Sequence, residues 1–249
     1  MDYILVILIG LCIGSFLNVC IYRIPEEQSI AFPPSHCMTC GYKLKTKDLV
    51  PIFSYIFLKG RCRGCGEKIS IQYPIIEFFN GLIYLLIYMQ NGYSIKTLEF
   101  MIFSSLMIVI AMIDFKTKFV YTSTIIFGFL VELIFFIIQW INTNKFPKDR
   151  LIGMIIGVVC IGLIVVITRG MGEGDIEIAG ISGLLLGSKA MIFMLFSSII
   201  MGGFVAFMYI IIKKKGKKYE MAFGPCLAIG TILSMFIGNQ VIIAYVNYL

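Results

Sequence analysis

Two aspartates and four cysteines carry the chemistry that can be read from this sequence of 249 residues. Asp114 closes an apolar block in the run Ala111-Met112-Ile113-Asp114-Phe115-Lys116, and Asp175 follows the turn Gly172-Glu173-Gly174. A carboxylate at membrane depth is costly, so each needs a partner, access to water, or a task. Two carboxyls holding one proton can hydrolyse a peptide bond without a metal or a covalent nucleophile. The ionised one activates water and the protonated one polarises the scissile carbonyl, and their titration belongs to the pair. Gly172 and Gly174 leave the backbone beside Asp175 open to an extended substrate. The residues alone also admit a plainer reading. In it Asp114 closes a helix end near Lys116 and Lys118, and Asp175 caps the start of the next span. Glu132, inside another apolar block, reads as a buried hydrogen-bonding or protonated acid.

The second group is Cys37-Met38-Thr39-Cys40 and Cys62-Arg63-Gly64-Cys65. Each pair can present two thiolates from a tight turn, and four thiolates close a tetrahedron around a metal. Gly41 and Gly66 suit the turns of a zinc knuckle. Zinc is the expectation here, ahead of redox dithiols or inert cysteines, because a cytoplasmic loop sits in a reducing compartment. It would be structural, since four thiolates leave no open position for water. The metal would hold together a loop too small to build its own core. His36 reads as a surface residue. Cys12, Cys20, Cys160 and Cys226 lie in apolar blocks and behave as small hydrophobes.

The chain that positions these groups is 59% hydrophobic and 14% charged, with a mean hydropathy of +0.94. A soluble domain of this length needs more polar surface. Eight apolar blocks, at 2–22, 73–90, 98–114, 120–141, 150–168, 176–187, 190–212 and 221–248, predict an all-α polytopic membrane protein of about eight transmembrane helices. The sixth is short. The first reads as a retained span with its N-terminus outside, since Asp2 rather than a basic residue precedes it. The expected division is a first span at 1–22, a polar tetracysteine module at 23–72, and a multi-span domain at 73–249.

Lys and Arg set the orientation. With the N-terminus outside, sixteen lie inside and five, Lys96, Lys145, Lys148, Arg150 and Lys189, lie outside. The module, Asp114 and Asp175 then share the cytoplasmic side. The net charge of +7 sits in short loops that meet anionic lipid, which argues against nucleic acid. The cluster from Lys213 to Lys218 reads as a topological anchor, and Trp140 as an interfacial one. Two other functions fit the same residues. A transporter could relay protons through Asp114, Glu132 and Asp175, and a non-enzymatic scaffold could use the module to bind partners.

Several ordered motifs resemble the bacterial type IV prepilin peptidases, across nearly the whole chain. Gly172-Glu173-Gly174-Asp175 looks like the G-x-G-D signature of intramembrane aspartyl peptidases. Gly14-Ser15-Phe16-Leu17-Asn18-Val19, Tyr22-Arg23-Ile24-Pro25, Pro51-Ile52-Phe53-Ser54-Tyr55, Gly60-Arg61-Cys62-Arg63, Tyr73-Pro74 with Glu77, and Phe223-Gly224-Pro225 follow the same family. The resemblance implies that Asp114 and Asp175 are the catalytic pair. It implies an inner-membrane enzyme that cuts basic leaders from prepilins and pseudopilins at the cytoplasmic face. It also implies N-methylation of the new amino terminus, with S-adenosylmethionine as donor. That activity would involve the first loop and the start of the second span, with Glu77 either positioning the amine or sulfonium or serving the helix start. The chain departs from the family at Val120-Tyr121, where Ile-Pro is usual, and at Glu177, where Lys is common.

Overall fold

The computed structural model describes residues 1–168, 171–213 and 222–248. Arg169, Lys214, Lys215, Lys217 and Lys218, part of the predicted inside charge, lie outside the described residues. Helices are the only regular secondary structure among the described residues, apart from two isolated β-bridges in the largely irregular polar loop. Lipid offers no hydrogen-bond partner to the backbone, so apolar runs of this length close their bonds within helices.

Among the described residues six helices are long and apolar enough to cross a membrane: Asp2–Arg23, Ile95–Thr117, Thr122–Thr143, Lys148–Ile167, Glu173–Tyr209 and Gly224–Tyr248. The chain is thus a multi-pass membrane protein. It divides into two compact units, Met1–Val109 and Ile110–Leu249.

In the first unit α1 (Asp2–Arg23) packs on α3 (Gln72–Asn91). The helices run antiparallel, because Gly10 meets Gly81 while Gly14 meets Glu77. Cβ atoms added at Gly10 and Gly14 would come within 2.8 Å and 2.7 Å of the facing Cα atoms. Small residues at this spacing let two backbones approach in lipid. Glu77, Asn80 and Gln72 lower the hydropathy of α3 below that of the six helices above, yet Glu77 and Asn80 point inward and are buried. The Asn80 amide donates to the Gly10 carbonyl at 2.7 Å and accepts from Ser105 at 2.9 Å. The short helix α2 (Phe53–Phe57) lies in the loop between them. The unit ends within α4 (Ile95–Thr117).

The second unit holds α5 (Thr122–Thr143), α6 (Lys148–Thr168), α7 (Glu173–Lys213), α8 (Gly224–Leu233) and α9 (Asn239–Tyr248). A π-helical turn at Ser234–Gly238 joins the last two. The helix α7 breaks at Gly187, whose φ of 74° and ψ of 176° no helix accommodates.

The contacts on either side of that break show that the chain reverses there. Before it, Asp175 lies near Cys226 and Ser182 bonds Thr231 at 3.1 Å, so this half runs parallel to α8. After it, Gly202 faces Phe223, Ser198 faces Gly230, and Ala190 faces Gly238, so the second half runs antiparallel to α8. The two halves correspond to the expected blocks at 176–187 and 190–212. Together with α3 they bring the helix set to the eight that the sequence predicts. Asp149 secures the reversal: its carboxylate accepts from the Ser188 N–H at 3.3 Å and from the Ser188 hydroxyl.

The first half of α7 packs on α6 through glycines. A Cβ at Gly157 would come 2.5 Å from the Ala179 carbonyl, and one at Gly183 would come 2.7 Å from the Met154 nitrogen. Gly183→Leu should therefore overpack this seam and cost roughly 1–3 kcal/mol. The expected result is a lower thermal midpoint for the detergent-solubilised protein.

Candidate active site and metal centre

Asp114 stands in the last turn of α4. That helix stops because Lys118 takes a left-handed φ of 61°, its N–H still bonding the Asp114 carbonyl at 2.8 Å. The Asp114 side chain is buried, and its Oδ2 accepts the N–H of Gly224 at 2.9 Å. Gly224 opens α8 and Pro225 follows it in the first turn, where a ring with fixed φ and no N–H is well placed. A Cβ at position 224 would fall 2.6 Å from Asp114 Oδ2, so only glycine brings its amide this close. Phe223, buried beside it, packs on the backbone of Gly202.

Asp175 lies in the first turn of α7 and is also buried. Its Oδ2 accepts the Gly172 N–H at 3.2 Å, while its own N–H bonds the Gly172 carbonyl at 3.1 Å. Asp175 is therefore not the N-cap that the plainer reading expects: it is the third residue of the helix, and its side chain reaches back to Gly172, the residue before the helix. Asp114 and Asp175 interact electrostatically, and the thiol of Cys226 feels both. These helix ends are the same end of the unit, opposite the Asp149 cap.

The two departures from the family pattern have physical accounts. Val120 presses on the turn before Asp175: a Cβ at Gly174 would come 2.5 Å from Val120 Cβ. Tyr121 holds the extended N-cap position of α5 with φ −87°, and its carbonyl accepts the Thr124 hydroxyl at 2.7 Å. Glu177 is exposed, and residues two apart on a helix do not face each other. Glu132 is fully buried and pairs with Arg150 at 3.4 Å on another helix. That pairing separates it from the two aspartates and weakens a relay through all three.

Gly224 had no assigned task in the sequence reading beyond its place in a motif. The signal was the Gly-Pro step at a helix start, which predicts an N-terminus but not the carboxylate it faces. Gly224→Ala should push Asp114 aside and lower hydrolysis about 100-fold, as expected for a misplacement of order 1 Å. A kinetic comparison should show the loss in kcat rather than in KM.

The four cysteine sulfurs all lie within 4.8 Å of one another, and the Cys37–Cys65 separation is 3.9 Å. Four sulfurs on a tetrahedral metal at about 2.3 Å would be about 3.8 Å apart. Each pair sits in a knuckle closed by matching bonds. Gly41 N–H donates to the Cys37 carbonyl and Gly66 N–H to that of Cys62, both at 2.9 Å. Gly41 and Gly66 take φ of 70° and 75°, the left-handed region that favours glycine.

The N–H groups of Cys40 and Thr39 draw the Cys37 thiol down to about 6. Cys65 keeps a favourable bond from Glu67, yet burial and the sulfurs of Cys40, Cys62 and Cys37 push it up to about 12. A central cation relieves that crowding, so the donor set could bind a metal. Beside it, Asp48 pairs with Arg63 at 2.6 Å. Burial opposes the Asp48 charge, but Arg63, the Lys45 N–H and the Tyr42 hydroxyl hold it below the usual carboxylate range.

Glu77 closes a cavity of about 400 Å³ between α1, the polar loop and the start of α3, which Asn18, Arg23, Tyr55 and Tyr73 also line. Its Oε2 accepts the Ile52 N–H at 2.7 Å, and it bonds the Ser15 hydroxyl. Glu77 therefore ties the loop to the helix in addition to lining the cavity.

Comparison with known proteins adds a separate line of observation. Residues 8–91 match a family model described as the bacterial peptidase A24 N-terminal domain, and residues 101–207 match the type IV leader peptidase family. A protein of Bacillus subtilis (strain 168), named prepilin leader peptidase/N-methyltransferase, is 30% identical over 241 residues, covering 96% of this chain and 95% of its own. One of the same name from Neisseria gonorrhoeae is 29% identical over 271 residues, covering 96% and 92%. The type 4 prepilin-like proteins leader peptide-processing enzyme of Escherichia coli O78:H11 is 28% identical over 259 residues, covering 92% and 91%. No solved structure matches the chain.

Proposed function

The chain belongs to the type IV leader peptidase family, and from that premise we propose that it cleaves the leaders of type IV prepilins and pseudopilins and N-methylates the new amino terminus. What supports the peptidase reading is that Asp114 and Asp175 are both buried at one end of the second unit, near enough for the charge of one to act on the other, with the Gly224 N–H bonded to the first.

Asp114 and Asp175 share one proton. The ionised carboxyl takes a proton from water, whose oxygen attacks the scissile carbonyl carbon. The other carboxyl gives its proton to the carbonyl oxygen, forming a neutral tetrahedral adduct. The adduct collapses as the first carboxyl gives its new proton to the amide nitrogen, one hydroxyl of the adduct returns its proton to the second carboxylate, and the C–N bond breaks, which restores the shared state. Gly174 and the turn at Gly172 support close approach of an extended peptide.

Methyl transfer belongs to the first unit. Its cavity of about 400 Å³ suits a ligand the size of S-adenosylmethionine, with Glu77 in its wall beside Asn18 and Arg23. When bound, that donor supplies an electrophilic methyl group. Cys37, Cys40, Cys62 and Cys65 hold a structural zinc, the metal that four thiolates in a tetrahedron favour, and so fix the shape of the loop that walls the cavity. The distribution of Lys and Arg supports a place in the inner membrane with the module and the aspartates cytoplasmic. Mass spectrometry of a co-expressed prepilin tests both activities at once. Leader loss together with a methyl mass increment is expected, and an unprocessed substrate would refute the reading.

A further inference from the structure

The tetracysteine loop is polar and basic for most of its length, yet one stretch of it is not. Val50, Phe53, Ile56 and Phe57 are exposed, Phe57 to 82% and Ile56 to 62%. Val50, Phe53 and Phe57 border one shallow depression with Lys47 and Arg63, so they form a single patch rather than scattered side chains. The exposed lysines Lys47 and Lys59 stand just before and just after it.

The depth of this patch is set by a hydrogen bond. Ile52, immediately before α2, donates its N–H to Glu77 at 2.7 Å. Glu77 lies five residues after the start of α3, about 7.5 Å along its axis at 1.5 Å per residue. The outward face around that level is already apolar, with Ile71, just before α3, 64%, Ile75 44% and Phe78 53% exposed. The segment around α2 therefore lies alongside the first turns of a lipid-facing helix instead of above them. Aromatic rings at that level, with lysines around them, match the boundary between phosphates and acyl chains.

We propose that Phe53, Ile56 and Phe57 insert into the headgroup–acyl boundary of an anionic bilayer, while Lys47 and Lys59 meet its phosphates. The tetracysteine module is then seated on the membrane by a third attachment, besides α1 and α3. This goes beyond the catalytic reading: it requires that α1 and α3 enter the bilayer, and it takes the proposed zinc only as the check that the module is folded.

Trp140 is the sole tryptophan, which makes a direct measurement possible. The full chain carrying Trp140→Phe and Phe57→Trp is reconstituted in vesicles of phosphatidylethanolamine and phosphatidylglycerol, part of which bears bromine near the top of the acyl chains. Bromine should quench most of the emission at position 57, as it should quench Trp140 in the natural chain, and aqueous acrylamide should quench little. Adding Phe53→Ser and Ile56→Ser should reverse that preference. Quenching by acrylamide with no effect of bromine would overturn the proposal. Protection from both agents would mean that a second copy or another protein covers the patch, and would overturn it as well. Retained zinc in each variant shows that the module is still folded. Ile56→Trp serves as the reporter if Phe57→Trp loses the metal.

Discussion

Asp114→Asn and Asp175→Asn should each reduce prepilin cleavage roughly 10⁴-fold, the upper range for loss of a positioned acid or base. Asparagine keeps the shape of the side chain, and its carbonyl oxygen can still accept the N–H of Gly224 or Gly172. What it removes is the capacity to take or give a proton. Because the two carboxyls act as a unit, the double variant should fall little further than either single one. Single-turnover cleavage of a purified prepilin, read by mass spectrometry, gives the number. Zinc content and methylation of a peptide supplied without its leader should persist, since the four cysteines and the cavity beside Glu77 lie in the other compact unit. Full processing by either variant would leave the proposed hydrolysis without a mechanism.

Cys37→Ser and Cys62→Ser should abolish metal binding and methyl transfer together. Structural zinc contributes about 10–16 kcal/mol to small thiolate sites, far more than this loop can gain from burial. Cys62 is its one buried apolar residue, with Asp48 buried beside it. A serine leaves three thiolates and an incomplete tetrahedron. The knuckles would open, and the cavity wall that includes Cys37 and Cys62 would go with them. Elemental analysis should find about one zinc per natural chain, as a closed four-thiolate site requires, and almost none in either variant. A natural chain purified without stoichiometric metal would defeat the zinc assignment. Methylation that survives in a metal-free variant would detach that activity from the module.

The helices were largely legible in the sequence because apolar blocks of membrane-spanning length end at polar or glycine-rich steps. Even the break in α7 showed itself, as the Gly187-Ser188-Lys189 step between two apolar runs. The cysteine pairs were legible for a local reason, since each knuckle is built within six residues of chain. Long-range partners were not. Nothing near Glu132 announces Arg150, and nothing near Glu77 announces the amide of Ile52. Such pairs depend on how far one helix slides along another, and hydropathy does not encode that sliding. The glycines of α6 and α7 make the same point. Gly153, Gly157 and Gly183 look like ordinary small residues until their backbones are seen in contact.

The staple between Asp114 and Gly224 also bears on biogenesis. Its donor lies 110 positions after its acceptor, on an apolar helix made well after the one that carries Asp114. A nascent chain already carrying both aspartates still lacks the amide that orients the first. The side chain of Asp114 is therefore oriented only once α8 has been made and has packed against the end of α4.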